Sequence, residues 1–131
     1  MPRTISLSKI HIKYKREYIK ITDHPYFQAL STGNKHMYEE CIKSSEFHQR
    51  RKPTATWEGI QKLIETIKES GFNPKISTFR VERKINKETG KKMWVVQHGR
   101  HRTCILRYLY GGNAKVTFSS NGKIRNITAE N

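Results

Sequence analysis

Cysteine is nearly missing from this 131-residue chain: only Cys41 and Cys104 occur, and they form no C-x-x-C pair. Two isolated thiols do not make a disulfide framework or a cysteine-based zinc site, so a reducing, cytoplasmic setting is expected. Acidic residues are scarce too, 11 against 26 lysines and arginines, and Asp23 is the only aspartate. Long hydrophobic runs are lacking, and no stretch approaches the ~20 apolar residues of a membrane-spanning helix. Met1–Lys9 has no uninterrupted apolar run, so it is expected to be neither signal peptide nor anchor, and no membrane partner is expected. Apolar residues make up only 34% of the chain and mean hydropathy is -0.82, which points to one modest core under a wet surface.

What the chain has is positive charge. The formal net charge is +15 and the isoelectric point is about 10.1. Such a surface draws polyanions at long range, which makes nucleic acid or nucleotide the expected partner, with acidic membrane surfaces behind them. The alternative is that lysine merely keeps a small protein soluble. For a DNA-associated protein, nucleoid association is the matching location.

A single domain over residues 1–131 is expected, of class α+β, with a small mixed β-sheet packed against helices. Residues 1–53 read as strand plus helical segment, 54–112 as a motif-bearing core, and 113–131 as a C-terminal hairpin. Residues 5–14 alternate loosely and suggest a first strand, which Tyr18–Ile21 either extend or follow as a second one. Asp23 is placed to cap a helix whose first turn holds Pro25. Met37, Tyr38, Cys41 and Ile42 share one face of a helix from about Lys35 to Phe47. Thr54 or Thr56 caps a helix from Trp57 to Ser70, with Ile60, Leu63, Ile64 and Ile67 inward and Gly71 as its stop. Ile76, Phe79 and Val81 suggest a strand, Asn86–Gly90 a hairpin turn, and Met93–Val96 the antiparallel return. Ser120-Asn121-Gly122 joins two final strands, 114–119 and 123–128.

The chain is organised around Val95-Val96-Gln97-His98-Gly99-Arg100-His101-Arg102-Thr103-Cys104-Ile105-Leu106. A strand leads into one glycine and then a helix that Gly111-Gly112 ends. Arg100, His101 and Arg102 fall in the first helical turn, where the helix dipole already presents positive charge. Cations there make sense if an anion, most simply phosphate, sits at the helix N-terminus.

Two stretches carry a family likeness. Leu63-Ile64-Glu65-Thr66-Ile67-Lys68-Glu69-Ser70-Gly71-Phe72-Asn73-Pro74 resembles the helix, glycine, turn and proline of ParB-type domains. Val96-Gln97-His98-Gly99-Arg100-His101-Arg102 is similar to that family's "strand, G-x-[RH]-R, helix" signature. Together they span about residues 54–112, and the chain resembles the ParB/sulfiredoxin-like superfamily, a small α+β fold. Asp23-His24-Pro25-Tyr26 resembles a branch with a helical insertion. Members include partition proteins that bind and hydrolyse CTP, sulfiredoxins that use ATP, free-serine kinases and proteins labelled ParB-like nucleases.

The resemblance implies that Gly99 is the motif glycine and that His101 and Arg102 touch nucleotide phosphates, with Arg100 and Thr103 in the same turn. ATP, ADP or CTP with Mg²⁺ is the implied cofactor set. Arg100 stands where sulfiredoxins have their catalytic cysteine, which excludes that redox chemistry, and Cys104 lies too far along the helix to replace it. His98 stands where kinase-like members have Asp, and Cys104 where partition proteins have arginine.

Each candidate has a plainer alternative. Arg102 is a phosphate ligand or a salt-bridge partner of Glu58 or Glu65. His98 is a general base or a hydrogen-bonding turn residue. His98 and His101 form an H-x-x-H pair without further metal ligands, and no metal site is assigned. Asp23, Glu39, Glu40 and Glu82 are the carboxylates available to Mg²⁺, and Asp23, with His98, is the catalytic candidate. Lys13, Lys15, Arg16, Arg50, Arg51 and Lys52 are either a nucleic-acid contact surface or a solvated face. Tyr14, Tyr18, Tyr26 and Phe27 either stack bases or belong to the core. Two functions remain: a phosphate-binding, DNA-associated ParB-like domain with or without nuclease activity, and a small nucleotide-dependent phosphotransferase or NTPase.

Overall fold

The computed structural model describes residues 3–43, 56–75 and 79–128. Its order of elements is mixed: β1 (Arg3–Ser6), β2 (Ile10–Tyr14), β3 (Glu17–Lys20), α1 (Pro25–Thr32), α2 (Lys35–Lys43), α3 (Trp57–Ser70), β4 (Arg80–Ile85), β5 (Lys92–His98), α4 (Arg100–Tyr110), β6 (Lys115–Phe118) and β7 (Ile124–Thr128). The class is α+β, as the residue patterns indicate.

The expected single sheet is two sheets. One has the order β1-β6-β7, the other β3-β2-β5-β4. The reason lies in Leu7–Lys9. These residues form a 3-10 turn that breaks the strand expected over 5–14. Leu7 is completely buried, and the Leu7 and Ser8 N–H groups donate to the carbonyls of Ala114 and Gly112, at 2.9 and 3.0 Å. The chain therefore leaves the first sheet and enters the second between Ser6 and Ile10.

The two sheets touch at one seam. Arg80 and Lys123 form an isolated bridge. The Val81 N–H donates to Gly122 O and the Ile124 N–H to Phe79 O, each at 2.9 Å. Gly122 has φ 86°, and a Cβ there would overlap the Val81 carbonyl oxygen, so the seam requires glycine. Trp94 and Phe118 meet edge to face near it, centroids 4.8 Å apart.

Within the larger sheet β2 and β5 are parallel, and the other pairs are antiparallel. A parallel pair needs a long crossover, and α1, α2 and α3 lie in that connection. Ile10, Ile12, Val81 and Val96 join Ile60, Ile64, Ile67, Ile105 and Leu106 in the core. Helix α3 keeps the expected bounds: the Gly59 N–H donates to the Thr56 hydroxyl at 3.0 Å, and the Gly71 N–H donates to Ile67 O at 2.7 Å. Helix α2 is described to Lys43, so the rest of the helix expected to Phe47, the basic run 50–52 and Ile76 lie outside the described residues.

Candidate phosphate-binding site

Gly99 has φ 89° and ψ 44°, a left-handed conformation that turns β5 into α4 within one residue. No side chain caps α4, and its first turn holds no acid. The turn is closed from within: the Thr103 N–H and the Thr103 hydroxyl both donate to Gly99 O, at 2.9 and 2.8 Å. Thr103 is completely buried, so its hydroxyl shapes the loop. Arg102 is exposed and Arg100 half-buried.

His101 is set apart from its two neighbours. Its ring stacks on Tyr26, centroids 4.7 Å apart and 19° between planes. Burial, with Arg100 and then Arg102 adding to it, lowers its pKa from the usual value to about 4. The imidazole is therefore neutral at pH 7, and the positive charge of the turn comes from the two arginines alone. Tyr26 is itself fully buried, which places it in the core and corrects the reading in which it stacks bases.

That stack brings two helix starts together. Tyr26 is the second residue of α1 and His101 the second of α4, so the first turns of both helices meet. The first turn of α1 also lacks acid. Its cap is His24 and not the expected Asp23: the Tyr26 N–H donates to His24 Nδ1 at 3.0 Å. Pro25 offers no N–H, and the buried imidazole reaches the next one, while Asp23 ends a short 3-10 turn (Ile21–Asp23) with its side chain exposed. An accepting Nδ1 carries no proton, which fixes that tautomer.

The sheet brings further candidates to the same end. Because β2 runs parallel to β5, Tyr14 at the end of β2 lies towards the His98 end of β5. Tyr14 packs edge-on to His24, centroids 5.1 Å apart. Lys15 and Arg16 follow, forming a two-residue hairpin turn with φ 49° and 71°. Asparagine and glycine are the usual residues of such a turn, and holding other side chains there costs roughly 1–2 kcal/mol per residue. Lys13 precedes them, exposed on β2. His98 is exposed, and its partner across the sheet is Arg80.

Arg80 and His24 escaped the sequence reading. Counting back across the 86–91 turn brings Phe79 opposite His98, but an irregularity between Arg80 and Val81 shifts the register by one. No residue pattern signals that bulge. His24 had a weak signal, its place before Pro25, but Asp23 is the commoner capping residue.

The carboxylates do not form a metal centre. Among the described residues, no group of three or more His, Cys, Asp or Glu side chains is arranged to hold a metal ion. Glu82 lies 3.6 Å from Lys84. Glu58 pairs with Lys35 at 3.0 Å and Glu65 lies 3.9 Å from Lys68. Helix α4 also holds Cys104, whose thiol is fully buried and kept protonated by that burial.

Compared with known proteins, the chain matches no family model, no curated protein and no solved structure. Among the described residues, no helix is long and apolar enough to cross a membrane.

Proposed function

We propose that this chain is a ParB/sulfiredoxin-like domain that binds phosphate groups of nucleotide or nucleic acid at the N-terminus of α4, in a DNA-associated role. The observation that carries this reading is the meeting of two helix starts that lack acids beside an arginine pair. Free N–H groups and the dipole make a helix start positive, and Arg100 and Arg102 add charge where a helix is least able to tolerate it. A phosphate between Gly99 and the arginines would be held by charge-assisted hydrogen bonds. Lys15 and Arg16, at the same end of the sheet, extend the positive surface along a polyanion.

A phosphotransferase or NTPase is the second reading, favoured by one observation. Asp23 is exposed just before α1, and its 3-10 turn packs against α4. Nucleotide phosphates at Gly99 would lie at the same end of the fold as this carboxylate and His98. ATP, ADP or CTP is the nucleotide class for either reading.

Both are tested by titrating ATP, ADP, CTP and short single- and double-stranded DNA into wild type and Arg102→Ala at two salt concentrations. The DNA-associated reading expects affinity that falls steeply with salt and a smaller salt slope in the variant. Saturable nucleotide binding lost in Arg102→Ala, without salt-dependent DNA binding, moves the assignment to the second reading. Failure to bind any of them refutes both.

A further inference from the structure

The turn of the β4–β5 hairpin lies at the opposite end of the larger sheet from Gly99. Strand β5 runs from Lys92 to His98, which puts the 86–91 turn roughly 20 Å from the Gly99 loop. Strand β2 pairs with β5 only at Trp94 and Val95, and β4 is the edge of the sheet. Among the described residues the hairpin beyond Trp94 is therefore a two-stranded ribbon with no third strand. Trp94 anchors its base, edge to face with Phe118 and with the Arg3 guanidinium 5.9 Å from its ring centroid.

Residues 83–92 hold five cations, Arg83, Lys84, Lys87, Lys91 and Lys92, against one acid, Glu88, and all five are exposed. Lys84 pairs with Glu82 at 3.6 Å. Among the described residues the other four have no carboxylate within ion-pair distance. Arg83 pairs with Trp94 and Ile85 with Lys92, so strand alternation puts Arg83, Ile85 and Lys92 on one face. Ile85 is 64% exposed, more than any other large apolar residue described. The turn is ordered by its own hydrogen bonds. The Asn86 N–H donates to Lys91 O at 2.8 Å and the Gly90 N–H to Asn86 O at 2.7 Å. Asn86 Oδ1 accepts from the N–H groups of Glu88 and Thr89, at 2.9 and 3.3 Å. The lysines are thus carried on a preformed backbone, which lowers the ordering cost of binding.

We propose that this hairpin is an arm that enters the major groove of duplex DNA, with Arg83, Lys87, Lys91 and Lys92 on the flanking phosphates and Ile85 against base edges. The groove, ~12 Å wide and ~8.5 Å deep, admits a two-stranded ribbon. The ribbon runs three residues from Trp94 to Lys91, about 10 Å at ~3.3 Å per residue, which matches that depth. Duplex RNA fits less well, because its major groove is too narrow for side chains to read. A single strand fits less well too, since residues 83–92 contain no aromatic ring on which its bases could stack. The arm stands whether or not phosphate binds at Gly99.

The test is fluorescence anisotropy with a labelled short duplex DNA, the same sequence as single strand, and the same sequence as duplex RNA. Wild type is expected to bind duplex DNA most tightly. Lys87→Ala/Lys91→Ala/Lys92→Ala is expected to weaken that binding at least about tenfold and to lower its salt slope by about 2–3, at ~0.9 per phosphate. Lys35→Ala/Lys62→Ala/Lys68→Ala removes the same charge from exposed positions on α2 and α3 and is expected to do far less. Ile85→Ser is expected to weaken duplex binding a few-fold with the slope unchanged. Equal losses in the two triple variants, or duplex RNA or single strand bound as tightly as duplex DNA, overturn the proposal. ATP affinity reads the Gly99 loop alone and is expected to be unchanged in the arm variant, so failure of the phosphate site and failure of the arm show separately. Should the triple variant fail to fold, the single Lys91→Ala decides, with a slope lower by about 0.9 expected and an unchanged slope refuting the arm.

Discussion

The two ends of α4 carry the same residue type in opposite settings. At the N-terminus Arg100 and Arg102 add charge to an already positive helix end, whereas Arg107 in the last turn opposes the negative end. The first pair reaches solvent or its boundary, while Arg107 packs over Phe27 beside Gly112. Stability alone explains an arginine at the C-terminal end. The helix dipole does not favour two at the N-terminal end, and the proposed phosphate site is the reading that uses them. The comparison also shows that a cationic side chain can be desolvated in one place and its neighbour neutralised in another, since His101 loses its proton where Arg107 cannot.

The largest effect that can test this contrast concerns pH. His101 has a folded pKa of about 4 against an ordinary value near 6.5, so the unfolded chain binds its proton first. The stability this provides is fully present above about pH 6.5 and is lost as pH falls towards 4, amounting to about 3 kcal/mol by linkage. Urea unfolding at pH 7.5 and 4.5 is expected to show that loss in wild type and much less of it in His101→Phe. An equal loss in both proteins would mean that the imidazole is not the neutral, packed group at the N-terminal end.

Next comes a matched pair of glycines. Gly99 and Gly111 flank α4 with φ 89° and 83°, so alanine at either is expected to cost about 1–2 kcal/mol. Only Gly99→Ala is expected to abolish phosphate binding as well, because only that loop carries the proposed anion site. Thermal melts measure the shared cost, and nucleotide or DNA titration the difference. Loss of binding in both variants would show that distortion of α4, not its N-terminal loop, controls the site.

The smallest effects have opposite signs. Arg100→Gln is expected to raise the stability of the ligand-free protein by a few tenths of a kcal/mol, and Arg107→Gln to lower it by up to ~1 kcal/mol. Denaturant midpoints at low salt are the measurement, and high salt should shrink both shifts. Two shifts of the same sign would remove the electrostatic contrast between the ends.

Local signals were readable where one residue type has one physical use. Helix α3 could be bounded from Thr56 to Gly71 because a hydroxyl cap, a period of hydrophobic residues and a glycine stop all agree. The 120–122 turn and the Gly99 turn were readable for the same reason. The break at Leu7 was not, because the alternating residues on either side suit one strand as well as two, and the deciding bonds go to Gly112 and Ala114 more than a hundred positions away. The cap of α1 has no local signature, because burial of His24, a tertiary fact, outweighs the local preference for aspartate. Of the site, the sequence supplied the Gly99–Thr103 cluster and the basic Lys13–Arg16 run but not their relation.

The sequence by itself determined the mixed class, the positive charge, the strand–glycine–helix unit and the position of Arg100 and Arg102 in its first turn. These depend on local periodicity, on one residue free to adopt a left-handed conformation, and on simple counting of charge. Only the tertiary structure decided that the strands form two sheets joined at Gly122. It also decided that Tyr26 and His101 stack to bring two helix starts together, and that His101 is neutral while its neighbours remain charged. Each of these depends on which distant groups exclude water from a side chain, and desolvation has no local signature in a sequence.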